Sequence, residues 1–225
     1  MKFINSDNII SGISEKKDGP MKSSLDNRLL FFKNEGLDKK IIVSAGSVHG
    51  NCVAIIDNFD KKTVIKDCDA LITNNSKYLL TITVADCLPV YFYDKNKKVV
   101  ALTHAGWRGV MSKIVSEVVD LFINHYGSNS SDIKVFIGPH IKDCHFEVKK
   151  DVANYFKKDY LIRNNGKTYI NLSLAVKNQL VESDIISSNI SISNECTHCL
   201  KDKYFSFRRD APEVLETMAA YIGLK

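Results

Sequence analysis

The chain has 225 residues, 44% of them apolar and 25% charged, with 11 Gly, 4 Pro and a formal net charge of +5. That length buries a sizeable core, the low Gly and Pro content excludes a linker-dominated chain, and a charge surplus spread over scattered lysines is not the concentrated basic face that nucleic acid requires. No run approaches the roughly 18 consecutive apolar residues of a membrane span and residues 1–20 hold no apolar signal core, so a cytoplasmic protein with six reduced cysteines is expected.

Residues 1–26 read as a less regular N-terminal segment with a few apolar positions around Ile9 and Ile10. A short helix is predicted over 27–37. Short β segments follow at 41–45, 52–56, 70–73 and 78–84. Runs rich in β-branched and aromatic residues predict better strands at 88–93 and 99–103. From Val110 the apolar set Met111, Ile114, Val115, Val118, Val119 and Phe122 recurs at helical spacing, with Gly127 as a stop. His125 near that helix end reads as a surface group complementing the dipole. Strands are predicted at 133–137, 190–192 and 204–207, and helices at 147–158 and 173–182, the second opened by Ser173. A closing helix is predicted at 211–222 with Pro212 in its first turn. Strands and helices mix without a regular βαβ rhythm, which gives an α+β class: a single domain over 1–225 with mixed β-sheets flanked by helices.

The most informative stretch runs from Ala85-Asp86-Cys87-Leu88-Pro89 to His104-Ala105-Gly106-Trp107-Arg108-Gly109. A turn centred between Lys95 and Asn96 pairs Cys87 directly with His104, with Cβ atoms about 5 Å apart on one face of the sheet. A thiolate and an imidazole at that spacing can share a zinc ion, which takes sulfur at about 2.3 Å and nitrogen at about 2.0–2.1 Å. A buried Cys beside a hydrogen-bonded His reads equally well. A third ligand is offered by His49 beside Gly50, with His140 and His145 as rivals. His198 lies between Cys196 and Cys199, but no second Cys/His pair at finger spacing accompanies it, which argues against a structural zinc there.

After His104 a strand ends, glycines permit a sharp turn, and a helix begins near Gly109. A helix N-terminus with Arg108 beside it can hold a phosphate, although a tight turn with Trp107 in the core fits as well. Asp86 is expected on the opposite strand face from Cys87, either orienting a ligand from behind or serving as a turn carboxylate. Glu147 is a candidate general acid/base or simply a helix-start Glu. Arg208 and Arg209 could meet an anionic substrate group or pair with surface acids.

These segments, together with Val48-His49-Gly50-Asn51, Asp69-Ala70-Leu71-Ile72-Thr73, Ile137-Gly138-Pro139-His140-Ile141, Cys144 to Val148, Asn178-Gln179-Leu180, Cys196-Thr197 and Phe205-Ser206-Phe207-Arg208-Arg209-Asp210, resemble one family in order from about residue 27 to 210. It is the laccase-domain purine nucleoside phosphorylase family, also called YfiH-like or the multicopper polyphenol oxidase family. The resemblance implies a single α+β domain and a mononuclear site, usually zinc with copper as the other candidate, ligated by His49, Cys87 and His104. It implies phosphorolysis of adenosine, inosine, guanosine and methylthioadenosine, with adenosine deamination as a second activity. The expected partners are a nucleoside and phosphate, with neither nucleic acid nor membrane, and a homodimer is one candidate assembly. Cys87, His104 and Glu147 are the expected catalytic groups; Arg108, Gly109, Arg208 and Arg209 the expected substrate contacts. Three positions depart from the family pattern: Ser47 replaces Gln, Asn171 replaces Asp, and Ala211-Pro212-Glu213 stands in place of Thr-Gly-Arg.

Two other chemistries compete. Multicopper phenol oxidation needs several copper centres, more than six His can ligate, leaving only single-copper oxidation. A cysteine hydrolase would use Cys87 as nucleophile and His104 as base, free of metal. Of the other cysteines, Cys144 and Cys196 fall in family motifs without a role, and Cys52, Cys68 and Cys199 read as buried or incidental thiols.

Overall fold

A computed structural model describes residues 8–22 and 25–225, and β-structure dominates them. In chain order the strands are β1 (Ile9–Ile13), β2 (Ile41–Ala45), β3 (Val53–Ile55), β4 (Thr63–Ile65), β5 (Ala70–Thr73), β6 (Tyr78–Val84), β7 (Leu88–Asp94), β8 (Val99–Ala105), β9 (Ile133–Ile137), β10 (Glu147–Val148), β11 (Leu161–Asn164), β12 (Lys167–Ile170), β13 (Ile190–Ile192) and β14 (Met218–Leu224). The helices are α1 (Leu25–Asn34), α2 (Trp107–Met111), α3 (Ile114–Asn124), α4 (Lys150–Ala153), α5 (Leu172–Glu182) and α6 (Phe207–Asp210). The strands form a mixed six-stranded sheet in the order β13-β9-β7-β8-β5-β3, a mixed five-stranded sheet in the order β1-β14-β6-β2-β4, and a small antiparallel sheet β10-β12-β11. The α+β class holds, with mixed sheets and few helices in one domain.

Side-chain alternation divides the interior into layers. On β7, Leu88, Val90 and Phe92 join the core covered by α2, α3 and α5, whereas Tyr91 and Tyr93 join the core between the two large sheets. On β14, Met218, Ala220 and Ile222 enter that inter-sheet core, while Ala219 and Tyr221 face α1. There Tyr221 meets Phe31 and Phe32 edge-on at centroid distances of 5.9 and 5.7 Å. The apolar stripe of α3 is fully buried, each large side chain contributing about 1.5–3 kcal/mol over exposure. No helix among the described residues is long and apolar enough to cross a membrane.

Several sequence expectations need correction. Ile9–Ile13 is a full strand on β14 rather than irregular chain. Residues 218–224 form a strand, not the end of a helix, because β14 pairs on both edges with β1 and β6 and is buried on both faces. A run apolar on every side carries no period by which helix and strand differ. The expected strand at 204–207 is instead a buried turn leading into α6, whose start is capped by Ser206 Oγ accepting from Arg209 N at 3.2 Å. The expected helix over 147–158 shrinks to α4, since Glu147 and Val148 pair with β12. The helix from Val110 is broken at Lys113, which takes φ 57°, and Gln179 Nε2 donates to the Val110 carbonyl at 2.8 Å. Asn171, not Ser173, caps α5: its Oδ1 accepts from Leu174 N at 3.0 Å and its Nδ2 donates to Asp143 at 2.7 Å. An Asn in place of Asp keeps the capping acceptor and gains that donor. Cys52 and Cys68, expected as thiols, are joined as a disulfide; Asp69 N and Ala70 N both donate to the Cys52 carbonyl and bring the two residues side by side.

Candidate metal centre

His49, Cys87 and His104 come from three loops or strand ends at one edge of the inter-sheet space. His49 lies in the turn between β2 and β3, Cys87 immediately precedes β7, and His104 is near the end of β8. The hairpin register differs from the expected one: Pro89, not Cys87, faces His104. Asp94 belongs to the strand and its Oδ1 accepts from Asn96 N and Lys97 N, which moves the turn to 95–98. A slip of two residues keeps Cys87 on the same face, so it still reaches His104 from one step beyond the strand.

Asp69, just ahead of β5, organises the cluster. Its carboxylate is fully buried and accepts from Val48 N, His49 N and Gly50 N at 3.0, 3.0 and 2.8 Å, and from His104 Nδ1 at 2.8 Å. Burial acts to raise the Asp69 pKa, but the hydrogen bonds from His104, Gly50 and Val48 outweigh it and hold the carboxyl below its ordinary value. The same bonds stabilise a left-handed backbone at His49, φ 63°, a conformation that costs a non-glycine residue of order 1 kcal/mol or more. With Nδ1 committed to Asp69, the other ring nitrogen of His104 is left for Cys87 and a metal.

Cys87 Sγ lies 4.0 Å from His49 Nε2, the two imidazoles meet edge-on at 4.9 Å, and the three donor atoms all fall within 4.8 Å of one another. Zinc bond lengths put sulfur and nitrogen ligands about 3.6 Å apart in a tetrahedron, so small side-chain shifts would close the site. A Cβ on Gly106 would stand 2.8 Å from His49 Cδ2 and 3.2 Å from Cys87 Sγ, so only glycine leaves room for the cluster. Burial raises the Cys87 pKa, but the charge of His104 and hydrogen bonds from both imidazoles push it down to about 6. Burial lowers that of His104, but Cys87 and Asp69 lift it to about 9. Without metal each of the pair thus favours the charged form of the other. The donor set of one thiolate and two imidazoles could hold a single metal ion.

The cluster forms one wall of a cavity of about 250 Å³, shared with Lys22, Ser47, Phe207 and Leu215. Asp86 points away from the two imidazoles. It accepts from Thr197 Oγ1 at 2.6 Å, Ser206 Oγ at 3.0 Å and Arg208 N at 2.7 Å, and so ties the chain before Cys87 to α6. Arg208 borders a second cavity of about 410 Å³ with Trp107, Phe146 and Glu147, and its Nη1 donates to the Glu147 carbonyl at 2.6 Å. The Glu147 carboxylate pairs with Lys167 at 2.8 Å and lies in that cavity, not the one bordered by the cluster. Arg108 stacks on Trp107 at 4.4 Å and lines neither cavity. Gly109 is buried where a Cβ would come within 2.9 Å of the Gly50 carbonyl, a close approach that joins α2 to the His49 turn. The Arg209 guanidinium spends all five N–H donors inside the protein, on Thr197 O, His198 O, Tyr204 O and both oxygens of Asp210. The rival ligand His140 is fully buried, bonded to Gly138 O and absent from the cluster, and His145 belongs to another cluster. Asp69 and Gly106 entered the sequence reading only as motif members without a role in the cluster and Lys22 was missed, although an Asp directly before the apolar run 70–72 was a signal for a buried, specifically bonded carboxylate.

Comparison with known proteins shows the family. The family model described as "Multi-copper polyphenol oxidoreductase laccase" matches residues 14–225. The chain belongs to this family. A purine nucleoside phosphorylase of Clostridium acetobutylicum is 36% identical over 162 residues, 69% of this chain and 67% of that protein. An adenosine deaminase from an unknown prokaryotic organism is 32% identical over 201 residues, covering 82% and 76%. The crystal structure of YlmD from Geobacillus stearothermophilus superposes with a TM-score of 0.90 at 26% identity, over 97% of this chain and 93% of that one.

Proposed function

We propose that this protein is a zinc-dependent purine nucleoside phosphorylase. It converts adenosine, inosine or guanosine and phosphate to the free base and ribose 1-phosphate, and methylthioadenosine to adenine and 5-methylthioribose 1-phosphate, with adenosine deamination as a second activity. The observation that carries the reading is the convergence of His49, Cys87 and His104 on one point in a cavity wall, in a family whose relatives include named purine nucleoside phosphorylases. Zinc, if held there by His49, Cys87 and His104, would supply Lewis acidity to a bound substrate.

The chain's own residues would do the rest. Asp69 keeps a proton on His104 Nδ1 and fixes the ring. Phe207, 56% exposed at the cavity rim, offers a flat apolar face to a purine. Lys22 brings a cation to the same cavity. Arg208 borders the neighbouring cavity, next in sequence to Phe207 of the cluster's own; it holds one N–H on Glu147 O and keeps its other donors for an anion, which favours it over Arg209 as a phosphate contact at that boundary. One thiolate and two imidazoles suit zinc, and the chain's six His cannot furnish several copper centres.

The test is base release from inosine by the zinc-loaded protein with and without phosphate. Phosphate-dependent hypoxanthine and ribose 1-phosphate are expected, and Cys87→Ala should lose both the metal at this site and the turnover. No phosphate-dependent release from metal-replete protein would refute the reading. A second reading, a cysteine hydrolase, draws on the Cys87 thiol pushed down to about 6 beside His104. It requires hydrolytic activity that survives chelation and is abolished by alkylating Cys87.

A further inference from the structure

The argument from spacing against a metal near Cys196 and Cys199 fails in three dimensions. Cys144 and His145, some fifty residues earlier in the chain, fold onto that Cys-x-x-Cys turn. Cys144 Sγ lies 3.7 Å from Cys196 Sγ and 3.8 Å from Cys199 Sγ, and His145 Nδ1 lies 3.2 Å from Cys144 Sγ and 3.4 Å from Cys199 Sγ. All four donor atoms are within 4.8 Å of one another, and none of the three sulfurs is bonded to another. We propose that Cys144, His145, Cys196 and Cys199 form a second metal site in this protein, a closed Cys3His zinc centre.

The distances match the proposed occupant. Zinc–sulfur bonds of about 2.3 Å and a zinc–nitrogen bond of about 2.0–2.1 Å give tetrahedral edges of about 3.8 Å between sulfurs and about 3.6 Å between sulfur and nitrogen. Three thiols in mutual contact are otherwise poorly employed, because a disulfide can use only two of them. The backbone N–H of Lys142 is aimed at Cys196 Sγ at 3.5 Å, a donor suited to a thiolate. The His198 ring stacks on His145 at 3.9 Å and 16°, which holds the imidazole with Nδ1 towards the sulfurs.

Four protein ligands leave no open position, so the role is structural rather than catalytic. The centre would staple 140–146 to 193–199, segments already joined by the His140–Cys196 bridge and by Lys142 Nζ donating to Ser193 O at 2.5 Å. One residue past Cys196, Thr197 donates to Asp86, the neighbour of Cys87, so the staple also braces the first cluster. Zinc enters as the divalent ion; each thiol gives up its proton to solvent and no electrons move.

The decisive experiment saturates the full-length protein with zinc chloride, removes loose metal on a desalting column and counts zinc per chain. Two equivalents are expected for the wild type, one for Cys87→Ala and one for the double variant His145→Ala, Cys199→Ser. Cobalt loaded into Cys87→Ala should give the strong charge-transfer absorption of several thiolates, a measurement that needs no change in the second cluster. A single zinc in the saturated wild type that the His145→Ala, Cys199→Ser variant keeps, complete zinc loss in Cys87→Ala, or a Cys144–Cys196 or Cys144–Cys199 disulfide mapped in the metal-saturated protein would overturn the proposal.

Discussion

Cys87 illustrates how a few side chains set one another's chemistry. Its thiol is enclosed, which by itself would keep it protonated, yet the imidazolium of His104 and the His49 ring bring it down to about 6. In the metal-free protein the rate of Cys87 alkylation by iodoacetamide should therefore rise as pH increases through about 6. In His104→Ala the midpoint should move upward, because the cation that stabilised the thiolate is gone while the enclosure remains. Asp69 acts one step further back: it fixes His104 and gathers the three N–H groups of the His49 turn. Asp69→Asn should weaken zinc binding by about 10–100-fold, read by competition with a chromophoric chelator, since a neutral amide holds the ring less firmly.

At the scale of elements, the connections after β8 and before β7 matter more than the strands themselves. Gly106 opens α2 where any side chain would press on His49 and Cys87. Gly106→Ala should lower zinc affinity more than it lowers the urea midpoint, because the exposed His49 ring can move aside while the core is untouched. In α6 two adjacent arginines have opposite duties. Arg209→Ala should destabilise the protein, since its five donors hold 197–198, Tyr204 and Asp210 together. Arg208→Ala should leave the urea midpoint nearly unchanged and raise the KM for phosphate in the inosine assay. The sequence identified both arginines without separating them, because which one is consumed internally depends on carbonyls that only the folded chain presents. It likewise found the strands β2, β5, β6, β9 and β13, whose short β-branched runs are bounded by turns. It missed β1 and misread β14, where pairing with distant partners overrides local preference.

For the whole molecule, two sheets stacked face to face with helices outside give the metal cluster a rigid rim. Ile222 sits at the centre of the inter-sheet core with no exposure. Ile222→Ala should cost about 2–5 kcal/mol, measured as a shift in the urea unfolding midpoint, with zinc stoichiometry unchanged in the folded protein. Residue patterns indicated the α+β class, and the resemblance of contiguous motifs such as Ala85–Pro89 and His104–Gly109 indicated the family and, as an expectation, the trio His49, Cys87 and His104, because such motifs are local in the chain. The tertiary structure alone decided that Asp69 is the anchor of that trio, that Glu147 lies in the neighbouring cavity, and that Cys144 and His145 meet Cys196 and Cys199. Each of those facts is a contact between residues far apart in the chain, and the closure of such a contact depends on packing that no local pattern encodes.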